Sequence, residues 1–278
     1  MLQENKVVGR ECRFAIHMPT KSSDVPDMHL IKEIQHFEDG IIKPQIVFRK
    51  NYQRSFYVTK KQHRNHQQKK EYEVIDKLTK YETTQSGLRM AVAKAFGKAW
   101  SSARLEEFCK EPYLYGCDIT STALIKNDYM SAYPDYNTDY SVCFFDIETD
   151  VVKKTDDPVI ITSVFKDKVY TCILDSYLEG YGSPFDRLNE TCQKHLKKYI
   201  EKHNFKIEFE ICRTVPELIT RSIARVHEWS PDFLAIWNVG FDIVRILDTL
   251  KKYNVDAKDV FSDPRIPPEL RFCQFKKG

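Results

Sequence analysis

Glycine is scarce in this chain, nine in 278 residues, about half the usual share. No Walker loop and no intact G-x-G-x-x-G occur. Gly180-Tyr181-Gly182 runs on into Ser183-Pro184-Phe185, so a Gly-rich loop cradling a nucleotide is excluded as the basis of function. No two of the eight cysteines stand as Cys-x-x-Cys, which excludes zinc ribbons and thioredoxin-type redox sites. Scattered single cysteines beside apolar neighbours suit a reducing compartment. No apolar run approaches the roughly 18 residues of a membrane helix, and Met1 to Arg10 lacks the apolar core of a signal peptide. A large charge imbalance is also lacking, because the net charge is only +3.

What is there reads as a folded, water-soluble chain. Hydrophobic residues make up 42%, charged residues 30% and aromatics 13%, a composition neither disordered nor membrane-embedded. The length gives room for about two domains of roughly 150 residues, enough to bury a core without disulfides. The charge is unevenly spread. Gly40 to Lys70 holds nine basic residues and no Asp or Glu, with Phe48, Tyr52, Phe56 and Tyr57 among them; the remainder is net acidic. Cations interleaved with aromatics suit a surface that tracks phosphates and stacks bases. Lys60, Lys61 and Arg64 are its candidate nucleic-acid contacts. The plainer alternative is a solvated basic face on a small domain.

Hydrophobic periodicity predicts short strands at 11–17, 45–49 and 54–59, a polar helix over 62–80, and a helix with Leu88, Ala91, Val92, Ala95, Phe96 and Ala99 on one stripe. The helix over 62–80 is supported by Glu73–Lys77 and Asp76–Lys80 at four-residue spacing. The polar, Pro-bearing stretch Tyr133 to Asp139 predicts a boundary that separates 1–137 from 138–278. Beyond it, Ser141 to Ile147 is almost wholly apolar and predicts a central strand covered on both faces. Strands at Val159–Phe165 and Val169–Leu174 flank the turn Lys166-Asp167-Lys168. A helix around Leu188–Ile200, a half-wet strand at 206–211, a helix opened by Thr214 and Glu217, a buried strand Phe233–Trp237 and a helix from about Phe241 follow. Strands in a run, then alternating with helices, predict an α/β (α+β) chain. Its first domain would be small and mixed, its second a mixed sheet flanked by helices.

Two patterns carry chemistry. In Phe144-Phe145-Asp146-Ile147-Glu148-Thr149 the carboxylates of Asp146 and Glu148 fall on one strand face, together with Val142 and Phe144. Neighbouring anions at the end of a buried strand repel, and a divalent cation such as Mg²⁺ or Mn²⁺ relieves this. In Ile236-Trp237-Asn238-Val239-Gly240-Phe241-Asp242 a strand ends and Asp242 falls in the first helical turn, where the positive helix end favours its charge. Asn238 is placed to cap the turn or to hold a substrate oxygen. Each pattern alone also has an ordinary reading, as surface acids and as turn residues.

Together the two patterns resemble the first and second motifs of DnaQ-like, RNase H-fold 3′–5′ exonucleases. The flanking residues look like family B DNA polymerases, most of all those of T-even-type and related large tailed bacteriophages. Arg54-Ser55-Phe56-Tyr57-Val58-Thr59 resembles part of the amino-terminal domain that precedes the exonuclease there. The resemblance implies proofreading during DNA replication. Asp146 and Glu148 would hold a first divalent cation (Mg²⁺ or Mn²⁺) and Asp242 a second, while Asn238, Phe241 and Thr149 would place a frayed single-stranded 3′ end. It implies primer-template DNA, a sliding clamp and other replisome proteins as partners, and the cytoplasm of an infected bacterial host as the location.

The family's third motif, Tyr-x-x-x-Asp, is missing: Tyr253 is followed four positions on by Ala257. Nor are the palm and fingers present. The expectation is therefore an incomplete exonuclease domain, as the amino-terminal part of a polymerase or as one subunit of a split polymerase completed by a downstream-encoded polypeptide, with little activity alone. The alternative is a non-catalytic nucleic-acid-binding or assembly module with a relict site.

Overall fold

The computed structural model describes residues 6–19, 26–98, 105–151, 154–180 and 182–275. The chain forms two compact units, Met1–Thr138 and Asp139–Gly278, each built of strands and helices.

In the first unit, β1 (Val7–Met18), β2 (Met28–Phe37) and β3 (Ile42–Lys50) form an antiparallel sheet in that order. A second antiparallel sheet has β4 (Arg54–Thr59) between β5 (Leu78–Thr83) and the short β6 (Leu114–Tyr115). The helices are α1 (Leu88–Phe96), α2 (Leu105–Phe108) and α3 (Ser121–Ala132). Phe56 and Val58 of β4 bury with Leu88 and Val92 of α1, on the stripe that the sequence marks, whose last member, Ala99, lies outside the described residues. Cys12, Ile31 and Tyr52 bury with Ile125 of α3, whose first turn is capped by the Thr120 hydroxyl accepting from the Ala123 amide at 3.2 Å.

Residues 62–80 are not a helix. The segment makes 3₁₀ turns at Lys61–His63 and Ile75–Lys77 and then enters β5. A stretch polar on all sides has no face to bury, and a helix gains most of its stability from such a face. Here the polar groups are used to pin an extended loop. Arg64 Nε donates to the Thr59 carbonyl at 2.9 Å, and its guanidinium lies over the rings of Phe96 and Tyr113. Lys60 Nζ donates to the Asp76 carbonyl at 2.7 Å. Strand β2, with buried His29, Leu30, Ile31, Glu33 and Ile34, has no counterpart in the sequence reading.

The second unit is a five-stranded mixed sheet. Its strands are β7 (Val142–Thr149), β8 (Pro158–Phe165), β9 (Lys168–Leu174), β10 (Lys206–Cys212) and β11 (Phe233–Ile236), in the order β10-β9-β8-β7-β11. β7, β8 and β9 are an antiparallel meander; β10 runs parallel to β9, and β11 parallel to β7. Its helices are α4 (Pro184–His203), α5 (Val215–Trp229), α6 (Val239–Lys252) and α7 (Ala257–Phe261). The Thr214 hydroxyl accepts from the Glu217 amide at 3.3 Å, and the Glu217 carboxylate accepts from the Arg213 amide at 2.9 Å, which opens α5. Cys143, Phe145 and Ile147 of β7 pack with Leu218, Ile219 and Ile223 of α5 and with Ile246 and Leu250 of α6. The crossover through α4 steps outward from β9 to β10, and that through α5 steps back toward β11. Right-handed crossovers of opposite direction put these two helices on opposite faces.

The face opposite α5 is only partly covered. On β7 every second residue is exposed: Phe144 is 60% exposed, Val142 38%, and Phe233 on β11 47%. The expectation of a strand buried on both faces, and of a wholly buried Phe233–Trp237, is therefore corrected: one face of β7 and β11 is core and the other is open. α4 does not close it, since none of its residues is buried and Leu196 and Tyr199 stand exposed.

Candidate active site

Asp146 and Glu148 lie on the open face of β7, opposite Thr162 and Ile160 of β8. Regular pairing is interrupted between Glu148 and Thr149, the last residue of β7, which lies opposite Pro158. On its other side β7 pairs with β11 only as far as Phe145↔Ile236. The chain then leaves the sheet through Trp237 and Asn238 and enters α6. Asp146 thus sits beside the amino end of a helix and at the carboxyl ends of two parallel strands, where α/β sheets place their ligands.

Asp242 lies in the first turn of α6, its amide held by the Asn238 carbonyl at 2.8 Å. The side chain is buried, and its Oδ2 has no hydrogen-bond partner among the described residues. Burial pushes its carboxyl above the usual range, and the charges of Asp146 and Glu148 push the same way. Of the three carboxylates that the sequence names, Asp242 thus feels the charge of the other two. The three are not drawn together: among the described residues no group of three or more His, Cys, Asp or Glu is gathered closely enough to hold a metal ion. Oxygen donors of this kind, one of them buried and orphaned, nevertheless fit a hard divalent cation.

Asn238 provides its carbonyl to the amides of Phe241 and Asp242, but its side chain makes no capping bond, so it caps nothing. Phe241 is 38% exposed, and Trp237 is 99% exposed. A cleft of about 420 Å³ on the open face is lined by Phe144, Asp146, Thr162, Val164 and Trp237, among others. Sequence reasoning missed Trp237 as a surface group, because an aromatic at the end of an apolar run reads as core. The turn after β7 is tied to α6: Arg245 meets Asp156 at 3.0 Å, and Lys252 meets Asp157 at 2.7 Å.

Of the first unit's candidates, Lys61 is exposed, whereas Lys60 and Arg64 are half-buried and engaged as described above. Arg54, counted with the basic stretch, is fully buried, with its guanidinium bound to Gln85 and to the Gly116 carbonyl. It belongs to the interior and not to a phosphate-binding face. No helix among the described residues is long and apolar enough to cross a membrane. No protein-family model and no curated protein matches the chain.

Proposed function

We propose that the chain is part of a replicative family B DNA polymerase of the large-phage type and carries two of the three motifs of its 3′–5′ proofreading exonuclease. The observation that carries this reading is Asp242: a buried carboxylate with an orphaned oxygen, within reach of the charges of Asp146 and Glu148, at the carboxyl ends of parallel strands. A protein keeps such an arrangement, which destabilises the fold, where a cation is to be bound.

Asp146 and Glu148 would hold one cation, and Asp242, with Asp146, a second. A cation held there would supply the Lewis acidity to activate water and to offset charge on the scissile phosphate and the leaving 3′ oxygen. The chain's own residues position the substrate. Phe241 and Trp237 offer exposed aromatic faces to the terminal bases of a single strand, the Asn238 side chain makes no capping bond to α6, and Thr149 stands where the strand ends.

The test is Mn²⁺ titration followed by electron paramagnetic resonance. Wild type should bind, and D146A and D242A should each lose at least one site. Co-expression with the polypeptide encoded downstream should yield Mg²⁺-dependent digestion of a labelled single strand, abolished by D146A. The loose spacing of the carboxylates favours a second reading, a nucleic-acid-binding or assembly module with a relict site. Absence of Mn²⁺ binding, with oligonucleotide binding retained, would select it.

A further inference from the structure

Arg245 is the only cation of α6 before Lys251. At about 100° per residue it lies between Phe241 and Asp242 around the helix, about 40° from the first and 60° from the second. Its guanidinium sits 5.1 Å from the centre of the Phe241 ring and 3.0 Å from Asp156. Both partners are partly exposed, and Arg245 itself is about one-third exposed. The local sequence is acidic: within 146–157 and the first two turns of α6, Asp146, Glu148, Asp150, Asp156, Asp157 and Asp242 outnumber Lys153, Lys154 and Arg245. A phosphodiester that approaches the carboxylates meets this field, and cations at the carboxylates compensate only the linkage they touch.

We propose that Arg245 is the substrate-binding residue for the backbone phosphate next to the scissile one, and that Asp156 holds its guanidinium in place until the strand arrives. The inference rests on the exonuclease reading and adds a residue outside its two motifs. A guanidinium matches two phosphate oxygens with parallel N–H bonds. The Phe241 ring, 5.1 Å from its centre, supports that fork from one side, and the same ring is available to a terminal base. When the strand binds, Arg245 exchanges one exposed carboxylate for a phosphate, so its charge stays paired. Asp156 is then the phosphate's competitor for the arginine.

The experiment measures fluorescence anisotropy of a 5′-labelled hexathymidylate with the whole chain in Ca²⁺. R245Q should weaken binding about tenfold, the scale of one charge-assisted contact. R245K should recover part of the loss, and D156N should tighten binding about threefold by releasing the arginine. A probe with a neutral methylphosphonate at the linkage next to the 3′-terminal one should bind wild type and R245Q alike. Equal affinity of wild type and R245Q for the all-phosphodiester probe would overturn the proposal. So would a tenfold difference that persists on the neutral probe, since the arginine would then act only through the fold. Loss of Mn²⁺ binding by wild type would instead overturn the exonuclease reading, and the anisotropy comparison separates the two failures.

Discussion

His29 sits wholly inside the first unit, its ring 4.9 Å from that of His17 and edge-on to Tyr52. Nε2 is 2.7 Å from the Ser121 hydroxyl, and Nδ1 has no partner among the described residues. Burial, with His17 nearby, lowers its pKa to about 4. The unfolded chain, near 6.5, therefore binds a proton that the folded chain refuses. Stability is complete above pH 6.5 and falls as the pH drops toward 4. Between pH 7 and pH 5 this one group should remove up to about 2 kcal/mol of stability. Urea midpoints of wild type and H29Q at the two pH values check it: the pH 7-to-5 loss should be clearly smaller in H29Q, and equal losses would refute the assignment. Asp242 has the opposite sign. Its carboxyl is pushed up, so its charge opposes folding at neutral pH. In the presence of a chelator D242N should raise the thermal midpoint of the second unit, while it removes cation binding. Substitutions at residues kept for binding characteristically gain stability in this way.

Strand β7 is one element with two environments. Phe145 is 3% exposed and packs on α5 and α6; Phe144, its neighbour, is 60% exposed. F145A should cost about 3–5 kcal/mol. F144S should change stability by no more than about 0.5 kcal/mol and should reduce self-association, because exposed apolar surface next to a sheet edge is sticky. Denaturant midpoints and sedimentation velocity of the two variants check this; similar stability losses would mean that both faces are covered. This strand also shows what a sequence can and cannot convey. Period and composition identified β7, β8, β9, α5 and α6, and with them the placing of Asp146 and Glu148 on one face and Asp242 at a helix start. They could not tell whether Phe144 is covered, since a run apolar at every position reads as buried on both sides. The loop after Thr59 failed for a different reason. Glu73 and Lys77 do meet, at 3.9 Å, but the same pair forms in a turn as readily as in a helix. What decides is Arg64 over two aromatic rings distant in sequence, a tertiary contact that no local pattern encodes.

Across the whole molecule the charge is segregated, and the structure reduces how much of it is available to a polyanion. Of the nine cations between Gly40 and Lys70, Arg54 is buried, Arg49 is paired with Asp128 at 3.3 Å, and Lys70 is paired with Glu73 at 3.1 Å. Lys60 and Lys69 donate to backbone carbonyls, Lys43 lies over Phe37, and Arg64 is stacked. Lys50 and Lys61 remain exposed with no carboxylate partner among the described residues. A basic stretch of nine therefore does not offer nine phosphate contacts. Each contact to a single strand contributes about 0.7 to the slope of log affinity against log salt. With two unengaged lysines, and one or two more that can turn outward, the slope for oligothymidylate should be about −1.4 to −3, much shallower than nine contacts would give. The triple substitution K60Q/K61Q/R64Q tests which members count. If Lys61 alone reaches the strand, the slope flattens by about 0.7; if all three do, by about 2. Anisotropy titrations from 50 to 300 mM NaCl distinguish these, and an unchanged slope would move the nucleic-acid contact of the first unit away from this loop altogether.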